Sequence, residues 1–222
     1  MSTFRRRRDE RGASAVEFAL VVPLLLTFLL GTVELGLYMK DYVSMSSSTR
    51  AGARAASSSA GAGPGTCQAS ANPPPCTPAN APAFAQAAAD TMQTAGMAMN
   101  SEDIDWVMIY KANDKGFPGS NGLTTIPESC STNCVQYVWD ANLSGGKFRY
   151  AGGSWASASV NACLNDSARE SVGVILKARH GWMSGLIGGL MGGDKVMYER
   201  TVMQFEPLEQ DRCRPGTPNA HS

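Results

Sequence analysis

The most constraining feature of this sequence is a long apolar run near its N-terminus. The run carries no charge from Phe18 to Val33 and continues past Glu34 to Met39, which gives 22 residues in all. A helix needs about 20 residues to cross about 30 Å of hydrocarbon, whereas a surface helix of a soluble domain carries only one apolar stripe. The sequence therefore predicts a membrane-spanning helix.

The residues ahead of this helix differ from those of a cleavable secretory signal. Such a signal places small residues after its apolar core, whereas here the small residues, Gly12 to Ala15, come before the core. A cut at this place would remove a basic leader and leave the apolar helix in the mature protein.

Residues 11–26, RGASAVEFALVVPLLL, resemble the opening of TadE-like proteins, pseudopilins of the tight-adherence (Flp) pilus. The resemblance is strong over residues 11–56. Residues 171–189 and 199–207 show a weaker similarity, to the end of the ectodomain in the same family. Four small or apolar residues separate Gly12 from the pair Glu17 and Phe18, which is similar to a prepilin-peptidase motif.

This resemblance implies a cut between Gly12 and Ala13, so that Glu17 becomes the fifth residue of the mature chain. It also implies a non-enzymatic role in pilus assembly. The implied partners are a prepilin peptidase, other pilin-like subunits and the assembly machinery.

Charge placement predicts the orientation of the helix. The net charge of the 222 residues is zero, but residues 1–12 hold five Arg, one Asp and one Glu. Because basic residues stay on the cytoplasmic side, the chain is expected to be a single-pass protein of the cell membrane, in contact with lipid, with its C-terminal part outside the cytoplasm. The alternative is that Arg5 to Arg8 bind nucleic acid, but Asp9 and Glu10 interrupt the run at once, so no nucleic-acid partner is predicted.

Six cysteines all follow the apolar helix, and an even number in an oxidising compartment indicates disulfides. Proximity in sequence favours Cys67 with Cys76 and Cys130 with Cys134, which leaves Cys163 for Cys213. The spacing of Cys130 and Cys134 also resembles half of a metal site. A structural zinc site usually needs a second close pair, so no metal is predicted.

Small and polar residues share one face of the predicted helix. Within the bilayer this face carries Thr27, Gly31 and Glu34, and such residues favour close helix packing. A second interpretation places Glu34 at the outer boundary, where water hydrates it; both remain open. The same spacing continues into an extramembrane stalk through Tyr38, Tyr42, Met45, Thr49 and Gly52.

Beyond the stalk the sequence predicts a linker and an α+β ectodomain. Residues 57–82 contain six prolines and no charge, a composition that cannot bury a core. A helix is expected from about Pro82 to Met99, capped by Asn80. The expected antiparallel sheet has about four strands, at residues 104–111, 135–141, 171–179 and 195–207. The predicted divisions are a leader (1–12), a transmembrane helix and stalk (13–56), a loop (57–82), the ectodomain (83–207) and a polar tail (208–222).

No catalytic or cofactor site is predicted. Cys163 and His180 form the one candidate pair for a thiol nucleophile and its base, and a disulfide is the better interpretation of Cys163. The glycine-rich apolar stretch at residues 181–193 lacks a phosphate-binding motif, and its large side chains are expected to pack on the sheet. The alternative interpretation is an interfacial loop or a partner-binding patch, because an exposed apolar cluster of this kind needs something to cover it. The alternative to a pseudopilin is a signal-anchored surface ectodomain that binds a ligand or protein partner.

Overall fold

The computed structural model describes residues 11–65, 80–95, 99–143, 145–164, 169–209 and residue 213. Within these ranges the helices are α1 (Arg11–Ser58), α2 (Ala83–Thr94) and α3 (Gly185–Met191), with short 3-10 turns at Ser101–Asp103 and Ser157–Ser159. The strands are β1 (Ile104–Lys111), β2 (Cys134–Asp140), β3 (Lys147–Ser154), β4 (Ser171–His180) and β5 (Lys195–Gln204). The predicted α+β fold, a long N-terminal helix followed by an antiparallel sheet, is confirmed.

The five strands form one sheet in the order β3-β2-β1-β4-β5, and all neighbours are antiparallel. Side chains alternate between its two faces. Along β1, Val107 and Ile109 belong to the main core with α1 and α2, whereas Trp106, Met108 and Tyr110 form a smaller cluster on the opposite face. The two helices therefore cover one face of the sheet.

The sheet has five strands instead of the expected four, because β3 was not predicted. This edge strand reads KFRYAGGS and carries no β-branched residue, so its composition gives a weak strand signal. Gly153 has a φ of +92°, and a Cβ there would overlap Sγ of Cys130. The close approach of the disulfide thus requires a glycine at position 153.

The helix α2 was predicted, but its ends differ from the expectation. Pro82, not Asn80, stands at the N-cap, and no side chain caps the helix there. The carbonyl of Asn80 instead accepts a hydrogen bond from the N–H of Trp155 at 2.8 Å. The helix ends at Thr94, well before Met99.

The main core is built where α1 and α2 meet the sheet. Phe84 of α2 makes edge contacts with Trp155 and Phe205, with ring centroids 4.9 and 5.3 Å away, and all three rings are buried. Gly52 of α1 lets the helices approach closely, since a Cβ at this position would lie 2.6 Å from Cγ of Met92.

Only the second half of α1 takes part in this core. Of the residues on the predicted stalk face, Met45, Thr49 and Gly52 are buried, whereas Tyr42 is 47% exposed. The buried stripe instead includes Ala53 and Ala56. The buried stripe and the predicted face separate at Tyr42 because alternate steps of three and four residues allow more than one path along a helix.

Candidate functional site

The residues predicted for processing lie at the exposed start of α1. Gly12, Ala13, Glu17 and Phe18 are all exposed, and a side chain at Gly12 would meet no atom within 4 Å. Residues 1–10 of the predicted leader lie outside the described residues. The start of the helix is thus open to a partner as far as the described chain goes.

The apolar residues that follow are also open. Apart from the partly buried Val22, the large side chains from Val16 to Val33 are between 41% and 73% exposed. This helix is long and apolar enough to span a membrane. Thr27 donates its hydroxyl to the carbonyl of Pro23 at 2.8 Å, and nothing lies within 4 Å of a Cβ built on Gly31. The predicted packing face at Thr27 and Gly31 therefore has no partner among the described residues.

Glu34 differs from both of these residues because the sheet domain covers it. Only 2% of Glu34 is exposed. Its Oε1 accepts a hydrogen bond from the N–H of Ser184 at 2.6 Å, and its Oε2 accepts one from the N–H of Met183 at 3.1 Å. The structure thus gives Glu34 a partner within the chain that neither sequence interpretation had included.

This carboxylate lies at the N-terminal end of α3. Ser184 is the N-cap of α3, and its hydroxyl accepts a hydrogen bond from the N–H of Ile187 at 3.4 Å. Free N–H groups at a helix start favour a negative charge. The charge of Glu34 is therefore stabilised by the backbone of the connection between β4 and β5.

Two further turns of α1 hold the same connection. The ring of Tyr38 stacks on Trp182 with centroids 6.3 Å apart and meets the edge of His180 at 5.4 Å. Nδ1 of His180 lies 2.7 Å from Oδ2 of Asp41, and the His180 side chain is 3% exposed. Glu34, Tyr38 and Asp41 thus clamp the end of β4 and the start of α3 onto α1.

Acidic groups surround the buried histidine. Burial, followed by the nearby carboxylate of Asp41, raises the pKa of Asp103 above its ordinary value. Asp41 is the group that faces His180 directly. The 3-10 turn that carries Asp103 lies at the same end of the domain as the clamp, because it leads directly into β1, whose Ile104 pairs with Ala178, two residues before His180.

Sequence reasoning had missed most of this clamp. Its helical side could have been found, because Tyr38 and Asp41 follow Glu34 at spacings that share one helix face. Its other side could not, because Met183 and Ser184 lie about 150 residues further along the chain.

Three large apolar side chains around α3 do not pack on the sheet, which corrects the expectation for residues 181–193 at these positions. Met183 is 74% exposed, Leu190 78% and Met191 58%. Trp182 is partly covered by Tyr38, and its indole N–H donates to the carbonyl of Gly193 at 2.8 Å. The apolar composition of this stretch therefore does not reflect burial in the core.

The cysteines form disulfides and supply no nucleophile where they are described. Cys130 is bonded to Cys134 and Cys163 to Cys213, the pairs that sequence proximity favoured; Cys67 and Cys76 lie outside the described residues. The bond to Cys213 removes Cys163 as a free thiol. Within the described ranges no group of three His, Cys, Asp or Glu residues is placed to hold a metal ion.

The geometry defines a sheet domain carried on one helix whose leading half is apolar and uncovered. Residues 12–54 match the family model described as TadE-like protein, so the predicted resemblance is confirmed over this part of the chain. The match supports a protein associated with the tight-adherence pilus. It ends four residues before α1 does and leaves the sheet domain unmatched. Neither a curated protein nor a solved structure matches the chain.

Proposed function

We propose that this protein is a non-enzymatic pseudopilin that a prepilin peptidase cuts between Gly12 and Ala13. The mature protein takes part in assembly of a tight-adherence pilus by packing its N-terminal helix against other pilin-like subunits. The observation that carries this proposal is that the TadE-like segment includes the half of α1 that no described part of the chain covers. Thr27 and Gly31 are the small and polar positions of this packing surface.

The proposed orientation places the leader in the cytoplasm and the sheet domain outside it. Basic residues before an apolar helix favour the cytoplasmic side, and residues 5–11 contain five Arg. The disulfides Cys130–Cys134 and Cys163–Cys213 belong to the sheet domain and its C-terminal extension, and disulfides persist in oxidising compartments. Charge and cysteine chemistry thus support the same single-pass arrangement.

Glu17 has a defined role in the proposed assembly. Once the leader is removed, Ala13 carries a new ammonium, and Glu17 lies about one helical turn away from it. A lone charge beside an apolar segment is costly, and the described residues offer Glu17 no ion-pair partner. In a bundle of helices, the ammonium of a neighbouring subunit would pair with this carboxylate.

The decisive experiment is the intact mass of the protein isolated from its native host. The mass is expected to correspond to a chain that starts at Ala13. Gly12→Arg should block the cut without disturbing the fold, because a side chain at this position meets no described atom within 4 Å. A mature protein that still carries residues 5–11 would refute the proposal.

A further inference from the structure

The connection between β4 and β5 descends along α1 toward its apolar half. Its successive contacts with the helix are made first to Asp41, then to Tyr38 and finally to Glu34. Glu34 and Asp41 are seven residues apart along α1, so the connection travels about 10 Å down the helix axis. The start of α3 is thus the part of the clamp nearest to the apolar segment.

The apolar segment brings the membrane boundary to the same level. The uncharged residues 18–33 make a helix about 24 Å long, which is shorter than the roughly 30 Å of a bilayer core. Counted from Phe18, about 30 Å of helix ends about four residues past Val33, so the boundary of the hydrocarbon lies just beyond Glu34. Because α3 begins beside Glu34, it begins at the edge of the hydrocarbon.

The surface of α3 suits an apolar surrounding. Residues 181–193 carry no charged side chain, and Met183, Leu190 and Met191 are more than half exposed. Such a patch is a liability in water, whereas side chains of this kind bind to the boundary between headgroups and acyl chains. The two charged residues that directly follow this stretch, Asp194 and Lys195, are exposed and opposite in sign, which favours an apolar contact over one driven by charge.

We propose that α3, together with Met183, lies in the membrane–water interface on the side of the bilayer that faces the sheet domain. Its partner is the lipid itself, and Leu190 and Met191 contact the upper acyl chains. This contact fixes the height and tilt of the sheet domain above the membrane. The inference rests on the membrane anchoring in the proposed function, but it does not depend on pilus assembly.

A fluorescent probe on the full chain tests this placement. Leu190→Cys, labelled with an NBD fluorophore and reconstituted as one copy in phosphatidylcholine nanodiscs, should show blue-shifted emission. Lipids that carry a nitroxide near the headgroup should quench it severalfold. Ser58→Cys is the matched control because Ser58 is also exposed but lies at the far end of α1; its label should behave as in water.

A third probe separates failure of this inference from failure of the anchoring. Leu26→Cys labels the middle of the apolar segment and should be quenched by lipids with a deep nitroxide. A quenched Leu26 probe with a solvent-like Leu190 probe would overturn the placement of α3 alone, whereas an unquenched Leu26 probe would overturn the anchoring as well. A Leu190 probe that is shielded only when several copies share a bilayer would assign the surface to another subunit and also overturn the inference.

Discussion

The two halves of α1 form one continuous helix but are stabilised by different surroundings. From Val16 to Val33 the large apolar side chains are strongly exposed, whereas Met45, Ala53 and Ala56 in the second half are completely buried. The most apolar half of the helix is thus the one that the chain does not cover. Its hydrophobicity suits the membrane contact of the proposed function, whereas the small side chains of the second half pack in the core.

The two halves of α1 also differ in what lies next to their small residues. In the second half, Gly52 is small because Met92 and Ala88 of α2 lie against it, and Ala53 is buried in the main core. In the first half, a Cβ added at Gly31 or Gly36 would meet no described atom within 4 Å. The small residues of the covered half are therefore explained by neighbouring atoms of the described chain. The glycines of the open half have no such neighbours among the described residues.

The largest expected difference between the halves concerns a pair of phenylalanines. Phe84→Ala removes the ring that joins Trp155 and Phe205 and should reduce the free energy of unfolding by about 3–5 kcal/mol. Phe28→Ala is the matched control because Phe28 is 67% exposed in the open half. Urea unfolding of the detergent-solubilised protein, followed by tryptophan fluorescence, measures both. A comparable loss in Phe28→Ala would show that the open half also stabilises the sheet domain.

A pair of glycines gives the next largest difference. Gly52→Leu forces side-chain atoms into Met92 and toward the carbonyl of Ala88, and should cost about 1–3 kcal/mol of unfolding free energy. Gly31→Leu should leave the unfolding curve unchanged but weaken co-purification with pilin-like subunits if helices pack at Gly31. Normal assembly in Gly31→Leu would remove Gly31 from the proposed packing surface.

Local sequence signals predicted the parts of the fold that depend on neighbouring residues. The apolar run gave α1, and β-branched residues such as Val172, Val174 and Ile175 gave β4. The edge strand β3 was missed because Gly153 is set by a contact with Cys130, and that contact is not visible in local composition.

The candidate site was less predictable than the fold. Glu34 was singled out as a carboxylate beside an apolar segment, but its partners at Met183 and Ser184 depend on how the sheet domain folds back on the helix. The apolar residues of α3 were assigned to the core because hydrophobicity alone does not distinguish a protein interior from a lipid surface. Exposure in the structure was needed to separate these two environments.

Two carboxylates, one at each end of the apolar segment, provide a sharper test of the same comparison. Glu34→Ala removes the acceptor of the Met183 and Ser184 amides, so hydrogen exchange over residues 183–191 should become faster while the rest of the sheet stays protected.

Glu17→Gln should leave the hydrogen exchange of residues 183–191 unchanged. If Glu17 pairs between subunits, that variant should be cut and inserted in the membrane but should fail to co-purify with pilin-like partners. Normal piliation in Glu17→Gln would contradict the proposed pairing, and unchanged exchange in Glu34→Ala would contradict the clamp.

The smallest expected effect concerns the face of the sheet away from α1. Solvent-exposed charge pairs lie on this face, whereas helices pack on the other. Oε2 of Glu128 lies 2.6 Å from Nζ of Lys177, and the hydroxyl of Tyr198 donates to Oε1 at 2.7 Å. These hydrogen bonds, that of Lys177 first, hold the pKa of Glu128 below its usual value of 4.5. A carboxylate with a lowered pKa in the folded state stabilises the protein above its unfolded pKa and loses this contribution as the pH falls through the folded pKa.

Because Glu128 is largely exposed, Glu128→Gln should cost at most about 1 kcal/mol at pH 7. The difference from the parent protein should persist down to about pH 5 and shrink as the pH falls below 4.5. Urea unfolding at several pH values measures this, with the exposed Glu209→Gln as the control. A cost that stays constant at low pH would mean that Glu128 acts through shape and not through its charge. The outer face of the sheet would then be stabilised by side-chain packing, like the face that α1 covers, and not by charge pairs.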